Sequence, residues 1–157
     1  MIQAITPVQR EIVVAASQQR AFEVFSAEMT SWWPKDHHIG AAPIDEIVIE
    51  PREGGRWYTR HVDGSETSTG FVTVWEPYDR LAVTWQIDAN WRYDPRLVTN
   101  VELRFIAEAP DRTRVELEHR DLDRFGPDAE RMFQMFNGPT AWNTTLAAYA
   151  EVLQPEA

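Results

Sequence analysis

The sequence has 157 residues, a formal net charge of −10 and no cysteine. A chain of this length can bury about 68–70% of its unfolded surface, so we expect one domain over residues 1–157. The acidic balance argues against nucleic-acid or anionic-membrane partners, and the lack of cysteine excludes disulfides and cysteine-ligated metals. No apolar run approaches the roughly 20 residues of a membrane span and no signal peptide is recognisable, so we expect a cytoplasmic protein.

The N-terminal part of the chain predicts one strand and two short helices. Residues 8–15 alternate between apolar and polar side chains, which is typical of a β-strand. Ser17 is a suitable N-cap for a short amphipathic helix. A second short helix is predicted over residues 27–33, ending at Pro34.

The central part of the chain predicts consecutive antiparallel strands. One covers residues 44–50, and three further runs rich in Val, Thr, Trp and Tyr lie between residues 50 and 87. Two turn signals separate these runs, Asp63-Gly64 and the proline-containing stretch at residues 76–79. We therefore expect hairpin connections at both places.

Alternation assigns the aromatic side chains of these strands to faces. Trp57 and His61 share one face of the run at residues 56–61, and Trp85 shares the apolar face of the run at residues 81–87. Such a period of two describes antiparallel strands with one covered face. His61 is near the Asp63-Gly64 turn, so we expect it at the rim of any cavity.

Two more strands are predicted over residues 99–107 and 113–119. In the second of these, His119 points inward together with Val115 and Leu117. A buried imidazole must find hydrogen-bond partners or lose its charge. His119 is therefore either a satisfied core histidine or a polar group in a pocket.

The C-terminal third changes to a helical period. Gly126-Pro127 begins one helix, which Asn137-Gly138 ends, and Pro139 can open the next. A single apolar stripe runs along residues 139–153 at helical spacing. This stripe consists of Trp142, Leu146, Tyr149 and Leu153.

Strands followed by a helix predict an α+β domain. We expect a helix-grip fold, in which a curved antiparallel β-sheet wraps around a long C-terminal α-helix, with two short helices after the first strand. The interior between sheet and helix is the natural place for a cavity, and seven tryptophans exceed what a small core requires. The candidate ligand-binding residues are Trp57, His61, Trp85, His119, Trp142 and Tyr149.

Several motifs, in this order, resemble the activator-of-heat-shock-protein-90-ATPase-like family within the START-related polyketide-cyclase and lipid-transfer superfamily. They are EPREGGRWY at residues 50–58, Asp63-Gly64, Gly70 with Val72, Trp75-Glu76-Pro77, residues 80–85, residues 113–120, and Gly138 with Trp142. The resemblance extends over residues 8–153. It implies the helix-grip fold and a central cavity for hydrophobic or aromatic small molecules, with cyclisation or dehydration in a minority of members.

Three functions follow as hypotheses. The first is a non-catalytic protein that binds a small apolar or aromatic molecule, without a cofactor; the sequence leaves a homodimer open. The second is a cyclase or dehydratase that uses a pocket histidine or acid. The third is a stress-associated or chaperone-associated interaction protein.

His37 and His38 adjoin Asp36, but neighbouring side chains point in different directions, so no metal site is predicted.

Overall fold

The computed structural model describes residues 6–153 and shows an α+β helix-grip fold. Seven antiparallel strands form one curved sheet in the order β1-β7-β6-β5-β4-β3-β2. The strands are β1 (Val8–Val14), β2 (Ile44–Ile49), β3 (Arg56–His61), β4 (Glu66–Glu76), β5 (Arg80–Trp85), β6 (Thr99–Ala109) and β7 (Arg112–Arg120). The α-helices are α1 (Gln18–Ala27), α2 (Ala129–Phe136) and α3 (Trp142–Val152), and 3-10 helices cover Met29–Ser31 and Leu122–Asp128.

The predicted strands and both central turns are confirmed. Gly64, with φ of +86°, follows Asp63 in the turn between β3 and β4. Asp63 accepts hydrogen bonds from the backbone and the hydroxyl of Ser65. Ser17 caps α1 by accepting from the Arg20 backbone N–H at 3.1 Å. These features depend on neighbouring residues, which explains why the sequence predicted them.

Helix boundaries were predicted less well. The second short helix contains only the single 3-10 turn Met29–Ser31, and the last helix begins at Trp142, not at Pro139. Ala141, with φ of −93° and ψ of −109°, is not helical. The preceding turn is tied to β1, because the Arg10 guanidinium donates to the Asn137 carbonyl oxygen at 2.7 Å. This long-range contact has no signature in the local sequence.

Gly70 permits the backbones of β4 and β5 to approach each other closely. A Cβ atom at this position would overlap the backbone carbonyl oxygen of Thr84. The Phe71 N–H, next in the chain, donates to the Thr84 hydroxyl at 2.8 Å, and pairing between the two strands shifts register just beyond. The close approach of the two backbones therefore requires glycine.

Strand β5 is covered on both faces, whereas alternation predicted one covered face. Thr84 and Gln86, on the supposedly open face, are both buried. The Thr84 hydroxyl donates to the Gln86 side-chain oxygen at 2.7 Å, and the Gln86 amide donates to the Pro95 carbonyl oxygen at 3.2 Å. The loop after β5 thus folds back over the end of the strand and satisfies its polar groups.

Helices α1 and α3 fill one end of the concave side of the sheet. Tyr149 of α3 packs edge-to-face against Phe25 of α1 and against Trp32, with ring centroids 5.3 and 5.1 Å apart. Leu146, one turn earlier in α3, is also buried. Within residues 6–153, no helix combines the length and apolar character that crossing a membrane would require.

Candidate functional site

A half-open cavity of about 450 Å³ lies inside the curve of the sheet. Its floor consists of inward side chains of β3, β4 and β5, and its sides are the loop after Trp32 and the segment that joins α2 to α3. The residues that line it are Trp33, Asp36, His37, His38, Ile39, Ile47, Trp57, Thr59, Thr67, Thr69, Trp85, Ile87, Trp91, Met135, Phe136, Thr140, Ala141, Trp142 and Thr145. This volume is within the range of about 300–1,000 Å³ that is usual for small-molecule sites.

Aromatic rings dominate the walls. The ring of Trp85 lies at their centre, with ring centroids 5.9 Å from Trp57, 5.7 Å from Phe136 and 6.2 Å from Trp142. Trp33 continues the wall, 6.0 Å from Trp57 and close to perpendicular to it. These separations and steep angles are typical of stable edge-to-face packing. The rings therefore form a continuous aromatic wall around the empty volume of the cavity.

His119 lies behind this wall and holds Trp142 in place. An indole N–H can only donate, so the 3.2 Å contact from Trp142 Nε1 makes His119 Nδ1 the unprotonated acceptor. His119 Nε2 then carries the hydrogen and donates to the Thr99 hydroxyl at 2.9 Å. That hydroxyl in turn donates to the Trp85 carbonyl oxygen at 2.9 Å. The chain of hydrogen bonds links α3, β7, β6 and β5.

The imidazole of His119 is neutral. Its side chain is completely buried, and this burial lowers the pKa of His119 from 6.5 to about 3. Both ring nitrogens are occupied by the hydrogen bonds to Trp142 and Thr99. His119 is therefore a satisfied core histidine, one of the two alternatives that the sequence left open, and it supports the cavity wall from behind.

His61 is not at the rim, where the sequence placed it. It is 1% exposed and lies beneath the loop before β2, where Nδ1 donates to the Ala42 carbonyl oxygen at 2.8 Å. Its Nε2 is 2.8 Å from the hydroxyl of Thr67, which does line the cavity. The expectation failed because Gly40 and Ala42, which precede β2, cover the His61 ring, although the turn after β3 is itself exposed.

Tyr149 is also outside the cavity. Its hydroxyl donates to the Ala21 carbonyl oxygen at 2.6 Å, which fastens α3 to α1. Burial raises the pKa of the Tyr149 hydroxyl above its ordinary value. The helical stripe correctly placed this side chain inside, but Phe25 and Trp32 fill the interior at this level of the helix.

The six predicted site residues thus divide into two groups. Trp57, Trp85 and Trp142 meet on the cavity wall, as alternation and helical spacing predicted. The other three, His61, His119 and Tyr149, are buried behind or beside it, which corrects their selection as residues that line the cavity. Whether any of the six contacts a ligand stays a prediction.

Trp91 is a cavity residue that the sequence analysis did not select. It lies in the loop after β5 with φ of +60°, and about half of its side chain is exposed at the mouth. The Asp88 carboxylate holds the loop by accepting from the backbone N–H groups of Asn90 and Arg92. The signal was two aromatic residues, Trp91 and Tyr93, in a mostly polar loop.

Asp36, His37 and His38 form the titratable part of the mouth. His37 packs against Trp33 and His38 against His61, so the two neighbouring imidazoles face different surroundings. His37 Nε2 is 3.9 Å from the Asp36 carboxylate. Among residues 6–153, no three histidine or acidic side chains converge in a way that could hold a metal ion.

The fold and cavity define the class of protein: a helix-grip domain with an internal aromatic-walled cavity. Residues 15–152 match the family described as Activator of Hsp90 ATPase homolog 1-like protein, and the chain belongs to this family. Among curated proteins, none matches the chain significantly.

Solved structures agree with this assignment. An anthrahydroquino-gamma-pyrone synthase, Txn09, complexed with SUM, is 36% identical over 95% of this chain and 97% of its own, with a TM-score of 0.67. The self-sacrificing resistance protein CalC from Micromonospora echinospora is 26% identical over 94% and 93%, with a TM-score of 0.71. Protein MLL2253 from Mesorhizobium loti, 16% identical over 94% and 96% with a TM-score of 0.67, supports the fold alone.

Proposed function

We propose that this protein binds a flat aromatic small molecule in the cavity of the sheet. The observation that carries the proposal is the wall of aromatic rings around unfilled space, with Trp85 at its centre. An interior that served only as core would be close-packed and would contain few voids larger than a water molecule.

The size of the cavity supports a ligand of two or three fused rings. An apolar cavity of about 150 Å³ is sufficient for one benzene ring. The volume here is about 450 Å³ and opens to solvent on one side. A polycyclic molecule could therefore enter with its rings against the indoles and a polar substituent toward the mouth.

Polar side chains between the rings would orient such a ligand. Thr59 and Thr69 both line the cavity floor, and each is a largely buried residue with a side-chain hydroxyl group. A few polar groups in an apolar cavity are typical of sites that select an orientation.

Filling the cavity tests this function directly. Thr59→Phe places a ring in the cavity, whereas Thr73→Phe makes the same substitution at an exposed position of the neighbouring strand β4. We expect the wild-type protein and Thr73→Phe to bind anthracene-2-sulfonate with one-to-one stoichiometry, measured by calorimetry and by quenching of tryptophan fluorescence. Thr59→Phe should bind at least tenfold more weakly while it melts cooperatively. Equal affinity of both variants for the probe would show that the probe binds outside the cavity and would contradict the proposed function.

A second candidate is an enzyme that closes an oxygen heterocycle. The 36% identity to a pyrone synthase favours it, together with the imidazole of His37 at the cavity mouth. Ring closure by addition of a phenol to an enone forms one C–O bond, uses the π bond of the alkene and moves the phenol proton to the carbon next to the carbonyl group. A general base such as imidazole, which takes and returns this proton, would accelerate it.

The cyclisation of 2′-hydroxychalcone to flavanone is a suitable model reaction because it needs no co-reactant. The second candidate predicts faster conversion than in buffer, followed by near-ultraviolet absorbance. His37→Gln should lose this acceleration and keep its affinity for anthracene-2-sulfonate. A wild-type rate equal to that in buffer would contradict the enzymatic candidate, and ligand binding would remain as the proposed function.

A further inference from the structure

The buried histidine His61 is hydrogen-bonded to a side chain that lines the cavity. Its Nδ1 lies 2.8 Å from the Ala42 carbonyl oxygen, which can only accept a hydrogen bond. In the neutral imidazole the hydrogen is therefore on Nδ1, and Nε2 is an acceptor. The Thr67 hydroxyl, 2.8 Å from Nε2, is then the donor in this pair.

The direction of this bond makes the Thr67 hydroxyl an acceptor toward any other group. A hydroxyl has one hydrogen to donate and two lone pairs that can accept. Because His61 takes the hydrogen, a ligand that meets this hydroxyl has to bring a hydrogen of its own, as a phenol or an aromatic amine does.

The other fully buried histidine provides a contrast within the same sheet. His119 donates to the Thr99 hydroxyl, and that hydroxyl donates to the Trp85 carbonyl oxygen. Thr99 is 0% exposed, so this chain of hydrogen bonds ends inside the protein. Thr67, by comparison, lines the cavity and is only partly buried. The chain that leads to His61 therefore begins at a residue of the cavity wall.

The surroundings of Thr67 favour its hydroxyl as the part that a ligand meets. Thr67 is paired with Thr59 between β4 and β3, and both side chains line the cavity. A Cβ atom at Gly40 would be 3.1 Å from the Thr67 methyl carbon. The methyl group is thus next to the loop that precedes β2.

We propose that a lone pair of the Thr67 hydroxyl faces the cavity and accepts a hydrogen bond from the ligand, with His61 as the positioning residue that sets the direction of this hydroxyl. The cavity then selects aromatic molecules that carry a hydroxyl or amino group over the corresponding ethers. This inference rests on the proposed binding function and adds the chemical class of the ligand.

A matched pair of probes tests the inference. The probes 6-hydroxynaphthalene-2-sulfonate and 6-methoxynaphthalene-2-sulfonate share their fused rings and their sulfonate, but only the first can donate a hydrogen bond from position 6. We expect the wild-type protein to prefer the naphthol. Thr67→Val removes the acceptor with little change of shape and should reduce the ratio of the two association constants by about three- to tenfold, the range for one hydrogen bond. Isothermal titration calorimetry measures both constants.

Two variants serve as controls. Thr69→Val removes the hydroxyl of another cavity threonine of β4 and should leave the ratio unchanged. Thr67→Ser keeps the hydroxyl and should retain the preference for the naphthol.

The outcomes separate this inference from the function on which it rests. An unchanged ratio in Thr67→Val, an equal decrease in Thr69→Val, or a wild-type ratio near one would overturn the role of Thr67. Binding of anthracene-2-sulfonate, which has no donor, would still support the proposed function in each of these cases. If none of the three probes binds, the proposed function and this inference fail together.

A measurement on the wild-type protein covers the case in which Thr67→Val does not fold. Nitrogen-15 NMR should show His61 with a hydrogen on Nδ1 and none on Nε2. The naphthol should shift the Nε2 resonance further than the ether does, because a hydroxyl that accepts a hydrogen bond becomes a stronger donor. A hydrogen on Nε2, or equal shifts with both probes, would overturn the inference.

Discussion

The indole Nε1 of Trp142 donates a hydrogen bond of 3.2 Å to Nδ1 of His119. Trp142 is the first residue of α3 and a wall of the cavity, whereas His119 is a fully buried residue of β7. This contact fixes one tautomer of the imidazole and one orientation of the indole. The position of a cavity wall thus depends on a residue that does not itself line the cavity.

The first prediction concerns pH. Burial lowers the pKa of His119 to about 3, below the ordinary 6.5 of the unfolded chain. Between these values the unfolded state binds a proton that the folded state does not. The contribution of His119 to the free energy of unfolding is therefore fully present above pH 6.5. It decreases as the pH falls from 6.5 toward 3, by about 1.4 kcal/mol per pH unit.

Urea unfolding at pH 7, 6 and 5 checks this prediction by comparing the wild-type protein with His119→Gln, which cannot titrate. The difference between their unfolding free energies should shrink toward low pH. The subtraction removes the contribution of the carboxyl groups, which both proteins share. A constant difference would mean that His119 titrates alike in the folded and unfolded states.

The second prediction concerns Trp91 at the mouth. Because about half of this side chain is exposed, we expect Trp91→Ala to leave the melting temperature nearly unchanged. If the indole packs on the ligand, affinity for anthracene-2-sulfonate should fall by about 0.5–1.5 kcal/mol, the range for one aromatic contact. Trp91→Phe keeps a ring and should lose less. Identical affinities in all three proteins would show that the ligand does not reach Trp91.

The third prediction concerns the inner face of α3. Leu146 is 3% exposed, so Leu146→Asp places a charge without a partner in an apolar layer and should abolish cooperative folding. Ala147→Asp introduces the same charge at the next residue, which is exposed. We expect this control to melt close to the wild-type temperature. Circular dichroism melts compare the three proteins, and a cooperative transition at the wild-type midpoint in Leu146→Asp would contradict the packing of α3.

The fourth prediction concerns the close approach of β4 and β5 at Gly70. Gly70→Ala forces a methyl group against the Thr84 carbonyl oxygen, so the strands must separate. We expect destabilisation of about 3 kcal/mol, the upper end of the range for overpacking, because the obstacle is backbone. Gly64→Asn is the matched control, since its Cβ meets open space and asparagine tolerates a positive φ. Equal unfolding free energies for both variants would show that β4 can shift without loss.

The sequence determined the strands, the turns and three of the cavity walls because each depends on short-range rules. A period of two predicted that Trp57 and Trp85 point inward, and a helical period did the same for Trp142. Inward direction, however, does not distinguish packed core from cavity surface. That distinction depends on how much of the space inside the curved sheet the helices and loops fill.

Only the tertiary structure decided which inward side chains lie in packed core and which lie at the cavity. Tyr149 is inward but meets Phe25 and Trp32, whereas Trp142, two turns earlier in α3, faces the cavity. His119 became a support because Thr99 and Trp142, 20 and 23 residues away in sequence, saturate its nitrogens. Alternation predicts which way a side chain points. Its hydrogen-bond partners and the empty volume beside it depend on residues distant in the chain, which come together only when the curved sheet has formed.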